Sequence, residues 1–233
     1  MPAVYIVNSD VSVSAQLASA IRAAGWEPEV FADAHAFLRH PRALVPACMV
    51  LDLELPDMCG LDLQAVFADR PEMPVIFTAK CPVLRAAVLA MKAGAVEFLP
   101  EPLDQELLLS AVRAALETSR AALAREAELR VLRLRYQTLS PREREVMSMV
   151  IAGRMNKLIA GDLEISEVTV KAHRGKVMRK MRATSVPDLV NMAARLGVLK
   201  WVEPPCAAGL PPRSRVPTQP LRASTPSPHS RHP

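Results

Sequence analysis

"VLDLELPDMCGLDL", residues 50–63, opens on the end of an apolar run and closes on the start of a helix, with an acid, Asp52, near the join. The run itself, "CMVLDL" at 48–53, is apolar on both faces, the pattern of a strand in a parallel sheet with helices packed on either side. Outward from it, "AVYIV" (3–7), "PEVFA" (28–32), "PVIFTA" (74–79) and "EFL" (97–99) supply four more strands. Helical patterns lie between them, the first ending near Gly25. The expected fold is a doubly wound α/β domain with a five-stranded parallel sheet, whose ligands sit beyond the C-terminal ends of the strands. Asp52 and the tripeptide Asn8, Ser9 and Asp10 fall at that edge.

After residue 103 the character changes. Residues 104–135 lack Gly and Pro and carry Leu and Ala at helical spacing, so they read as one long helix or two in series. The first half is expected to pack on the sheet and the Arg/Glu-rich second half to act as a linker. Residues 141–199 read as four short helices, a small all-α unit. The expected organisation is 1–118, an α/β domain; 119–136, a linker helix; 137–202, the helical domain; and 203–233, a disordered tail rich in Pro, Ser and Arg. Charge divides along the same line: residues 1–120 hold 9 basic against 15 acidic residues, and residues 137–202 hold 12 against 6. An acidic module joined to a basic one suggests regulation coupled to a partner rich in phosphate. No apolar run reaches membrane-spanning length and "MPAVYIVNSD" is not a signal peptide, so a cytoplasmic protein with no membrane partner is expected. The four cysteines have no metal-ligand spacing and read as free thiols. The five histidines form no metal or triad pattern, and no enzyme activity is expected.

In "LSPREREVMSMVIAGRMNKLIAGDLEISEVTVKAHRGKVMRKM", 139–181, Ser140 is placed to cap a helix that starts at Pro141, and Ser166 to cap a longer basic helix ending near Met181. A short helix, "NKLIAGDL", lies between them, which makes a helix-turn-helix. At 100° per residue, Val170, Val177 and Met181 share an inward side. Lys171, Ala172, Gly175 and Arg179 share the outward side and are the expected base-reading residues. Asn156, Lys157, Thr169, His173, Arg174 and Lys176 flank that face as candidate phosphate contacts, as do Lys180 and Arg182. The segment resembles the LuxR-type helix-turn-helix in order and spacing. That resemblance implies double-stranded DNA with an inverted-repeat operator as partner, and a fourth helix, about Ser185 to Leu196, that pairs subunits.

With that neighbour, the N-terminal half resembles a response-regulator receiver domain of the FixJ/NarL type, a flavodoxin-like fold. "VLDLELPDMCGLDL" places Asp52 at the phosphoacceptor position, and "AMKAGAVEFLPEPL" matches the end of the domain. The resemblance implies a histidine kinase or other regulatory protein as partner and a homodimer formed through one receiver face. It further implies an acidic pair that holds Mg²⁺ after the first strand, a Ser or Thr after the fourth, and a Lys before a proline after the fifth. Here those positions carry Asn8 and Ser9, Ala79, and Glu101, with Phe98 retained as the switch aromatic. Thr78 is turned by alternation to the face opposite Ala79. Asp10 lies one position late and is expected to turn away. The pocket is therefore expected to lack a cationic side chain and to bind Mg²⁺ weakly or not at all, with no other cofactor.

The leading expectation is a sequence-specific DNA-binding regulator that works without conventional Mg²⁺-dependent phosphorylation. A conventional regulator phosphorylated on Asp52 is one alternative. A ligand- or redox-gated factor is another, because Cys59 and Cys81 both fall in loops at the same rim. A sensor for acyl-homoserine lactones is disfavoured, since aromatics make up only 4% of the chain and such a pocket needs an aromatic lining.

Overall fold

In the computed structural model, which describes residues 2–41, 43–81 and 84–198, five parallel strands lie in the order β2-β1-β3-β4-β5. They are β1 Ala3–Val7, β2 Glu27–Phe31, β3 Ala47–Asp52, β4 Val75–Ala79 and β5 Glu97–Pro100, alternating with α1 Val11–Ala23, α2 Ala34–Arg39, α3 Gly60–Val66, α4 Leu84–Lys92 and α5 Gln105–Gln137. Alternation sends successive strand residues to opposite faces. Tyr5, Val7, Met49, Leu51 and Phe77 build a core with Phe37, Leu63 and Ala90 on one side. Val4, Ile6, Cys48, Val50, Ile76 and Leu99 meet Leu17, Ile21, Leu108 and Val112 on the other. Each of β1, β3 and β4 is buried along its whole length, which is why these segments read as unbroken apolar runs.

The segment from 104 onward is a single helix of 33 residues. Its sheet-packing half reaches Ser119, whose hydroxyl donates to the Glu72 carbonyl at 2.6 Å and accepts from the Ala47 amide at 2.9 Å. Leu132, three turns further on, is buried in the core of the helical domain. Between these two anchors α5 buries no residue and runs as a solvated rod, with Glu126 reaching forward to Arg133, just past Leu132, at 2.8 Å. Thus one helix is anchored in both domains.

That second domain consists of α6 Pro141–Ile151, α7 Asn156–Asp162, α8 Glu167–Met181 and α9 Val186–Arg195. Ser140 and Glu143 form a reciprocal capping box at the start of α6, with Pro141 in the first turn. Ser166 caps α8 by accepting from the Thr169 amide at 3.1 Å. Val146, Val150, Ile159, Val170, Val177, Met181 and Leu189 close the core. The expected tail, 203–233, lies outside the described residues, as do residues 199–202 of the expected helical domain.

Candidate functional site

The carboxyl edge of the sheet collects Asp52 from β3, Asn8 and Asp10 after β1, Lys80 after β4 and Glu101 after β5. Asp52 is 7% exposed and accepts from the Glu54 amide at 3.1 Å. Burial pushes its carboxyl above the usual range, and the charge of Glu54 pushes the same way against the opposing pull of Lys80. Glu101 is raised too, first by burial and then by the charge of Asp52. One of its oxygens, Oε1, is buried with no hydrogen-bond partner. The peptide between Glu101 and Pro102 is cis. Phe98 stacks on Phe77 with ring centroids 6.1 Å apart.

Two expectations for this edge need correction. Asp10 does not turn away, because β1 ends at Val7 and strand alternation stops there. Its carboxylate caps α1 through the Ser12 amide at 2.9 Å and reaches across to Lys80 Nζ at 2.7 Å. Lys80 first, then Ser12 and the helix amides, hold Asp10 well below the usual carboxylate range. A cationic side chain, Lys80, 61% exposed, therefore stands at the rim of the pocket. Thr78 does lie opposite Ala79, but it is the register partner of Asp52, and paired strand residues leave the same side of the sheet. Its hydroxyl is fully buried without a partner.

The remaining expected positions are less engaged. Ser9 is exposed, and Ala79 is buried in the apolar core. Asn8 is buried; its side-chain oxygen accepts from the Asp10 amide at 2.8 Å and its Nδ2 has no partner. Cys59 and Cys81 are exposed free thiols.

On α8, Lys171, Ala172, Gly175 and Arg179 are all exposed, opposite the buried Val170, Val177 and Met181. A Cβ added at Gly175 meets nothing within 4 Å, so the helix surface there is open. Lys157 and Lys176 are exposed beside this face, while Arg174 reaches back to Asn156 Oδ1 at 3.0 Å. Thr169 shares its hydroxyl with Ser166 at 2.8 Å, and His173 has a buried Nδ1 without a partner. Lys180 is a correction: its ammonium is turned inward to Glu143 at 2.6 Å and to the Thr138 carbonyl at 3.0 Å, because the buried Glu143 carboxylate needs a counter-ion.

Comparison with known families finds the receiver-domain family ("Response regulator receiver domain") over residues 4–113 and "Bacterial regulatory proteins, luxR family" over residues 137–193. Among relatives, the response regulator protein TmoT of Ectopseudomonas mendocina is 39% identical, over 83% of this chain and 88% of its own. Nodulation protein W of Bradyrhizobium diazoefficiens is 41% identical over 84% and 86%, and the transcriptional regulatory protein FixJ of Rhizobium meliloti is 40% identical over 82% and 94%. The chain belongs to the response regulators that join a receiver domain to a LuxR-type DNA-binding domain. The solved response regulator StyR superposes with a TM-score of 0.71 at 39% identity, over 83% of this chain and 98% of that one. Full-length FixJ from B. japonicum gives 0.50 at 35%, over 85% and 98%.

Two residues of this response regulator were missed in the sequence. Lys80 is separated by 70 positions from the carboxylate it pairs with, and no local spacing connects the two. Val168, 76% exposed at the start of α8, lies three residues before Lys171 and extends the outward stripe. Its signal was legible: an apolar residue at helical spacing from the polar face, on the side away from the core.

Proposed function

We infer that this response regulator binds an inverted-repeat operator as a homodimer, and does so without Mg²⁺-dependent phosphorylation of Asp52. Glu101 carries this reading. Where receivers of the family place a lysine, it sets a second carboxylate, one oxygen of it buried and unpaired, in the field of Asp52. Phosphoryl transfer is promoted chiefly by neutralising charge on the transferring group, and Glu101 adds charge of the wrong sign. The donor set also suits Mg²⁺ poorly, since that ion demands an octahedron of hard oxygens. Asn8 and Ser9 are neutral, the Asn8 oxygen is engaged with Asp10, and the Asp10 carboxylate is engaged with α1 and Lys80.

The DNA side of the reading rests on the outward stripe of α8, with Lys171, Ala172, Gly175 and Arg179 toward base edges and Lys157, Lys176 and Arg174 toward phosphates. For assembly, α4 and the start of α5 leave Val88, Leu89, Met91 and Leu107 between 43% and 57% exposed, an apolar face suited to a second copy, with α9 as a further contact. Input comes from a protein partner, a histidine kinase or another regulator, that reads the receiver surface, and work on DNA places the protein in the cytoplasm.

Sedimentation of the unmodified full-length protein, paired with a gel shift on inverted-repeat DNA, tests this. The expected result is a dimer that binds before any phosphodonor is added. A monomer that binds only after acetyl phosphate and Mg²⁺ would sink it.

A further inference from the structure

We propose that the Lys80 ammonium is the resident counter-charge of the receiver edge, taking the place of a metal ion beside Asp10, so that the pocket disfavours divalent cations. This rests on the preceding reading, that Asp52 works without Mg²⁺, and assigns the residue responsible. Lys80 Nζ lies 2.7 Å from Asp10 Oδ2 and in the field of both Asp52 and Glu101. Lys80, 61% exposed at the rim, thus pairs with the carboxylate after β1 and acts through space on those at the ends of β3 and β5. On the same edge, Asn8 Nδ2, Thr78 Oγ1 and Glu101 Oε1 are buried without partners, with Asn8 2% and Thr78 0% exposed.

Relative to the family pattern, the charges have moved: the position after β5 has gained a carboxylate, and a lysine stands one residue beyond Ala79 at the end of β4. An ammonium on a four-carbon stem serves these carboxylates without an octahedral ligand set, because its three donors rotate freely. It is tethered, so it competes with free ions at high effective concentration. A divalent ion entering the pocket meets its positive charge a few ångströms away.

Mn²⁺ is the probe, with free Mn²⁺ followed by electron paramagnetic resonance in the full-length protein. Wild type should leave the free signal unchanged at millimolar Mn²⁺. Lys80→Met, which keeps the apolar stem, should bind Mn²⁺ about tenfold tighter or more, the change expected from removing one nearby positive charge. Lys80→Gln is the second variant should Lys80→Met fold poorly, and Lys80→Arg should behave as wild type. Adding Asp52→Asn to Lys80→Met should abolish the gain, which assigns it to this pocket. The proposal is overturned if wild type binds Mn²⁺ as tightly as Lys80→Met, if the folded Lys80→Met and Lys80→Gln variants gain nothing, or if the gain survives Asp52→Asn. Mn²⁺ exclusion and phosphate uptake are separate readouts. A wild type that excludes Mn²⁺ yet accepts phosphate defeats only the functional reading, and one that binds Mn²⁺ yet stays unphosphorylated defeats only this inference.

Discussion

Replacing Glu101 with Gln should make the receiver domain more stable at neutral pH, and the size of the gain should depend on pH. In the native protein one oxygen of the Glu101 carboxylate is buried without a hydrogen bond, and the Asp52 charge acts on it. A buried unsatisfied polar group costs about 1–3 kcal/mol, more when charged. Gln keeps the shape and one oxygen but removes the charge, so roughly 1 kcal/mol should be recovered, or about 3 °C in Tm for a domain of this size. The sign follows from linkage. Glu101 titrates above its ordinary 4.5 in the folded protein, so the native state holds that proton more tightly than the unfolded chain. Stability is therefore lost as pH rises from about 4.5 through the folded value, and the cost is fully present above it. Urea and thermal unfolding of wild type and Glu101→Gln at neutral pH and below pH 4.5 read this directly. The gain should be complete at neutral pH and vanish in acid. A variant less stable than wild type at neutral pH, or a gain of equal size at both, would refute the placement of Glu101 as a carboxylate whose burial and whose proximity to Asp52 outweigh the pull of Lys80.

Glu143→Gln should do the reverse: its carboxylate, 4% exposed, accepts from Lys180 at 2.6 Å and the Ser140 amide at 2.8 Å, and Lys180 first holds its pKa down. The variant should lose about 1–3 kcal/mol at neutral pH, with the gap closing below about 4.5 as wild type itself is protonated; a pH-independent difference would contradict this. Gly60→Ala would set a Cβ 2.5 Å from the Asp52 carbonyl oxygen and 3.1 Å from Leu53 Cα and Phe77, mostly backbone that cannot yield cheaply. It should cost about 3 kcal/mol in urea unfolding, and a loss below roughly 1 would be inconsistent with that contact. Lys171→Ala should weaken specific DNA binding by about 1–3 kcal/mol and relax preference at one base pair, whereas Lys157→Ala should lower affinity evenly and reduce the salt slope by about 1. Gel shifts across operator variants and salt concentrations separate the two, and identical behaviour would mean the α8 face is rotated.

Strands and helices were legible because burial imposes its own period. The runs at 48–53 and 74–79 are apolar on both faces because helices cover both, and the helical spacing of Val170, Val177 and Met181 marks the inner side of α8. The substitutions at Asn8, Ser9, Ala79 and Glu101 are legible only through the resemblance to receiver domains, which fixes where each functional position falls. Contacts that cross the chain were not. Strand alternation carried past Val7 misplaces Asp10, because the backbone turns there into the cap of α1. Lys80 gives no local signal because its partner lies on another strand's loop, and Lys180 reads as a phosphate ligand because a basic helix gives no sign of which lysine answers a buried carboxylate.

The most direct measurement is the mass of the purified protein after incubation with acetyl phosphate and Mg²⁺. With neutral side chains at the metal positions, Lys80 committed to Asp10, and Glu101 in the field of Asp52, the mass should be unchanged and DNA binding no tighter. Stoichiometric phosphorylation that maps to Asp52 would contradict the account.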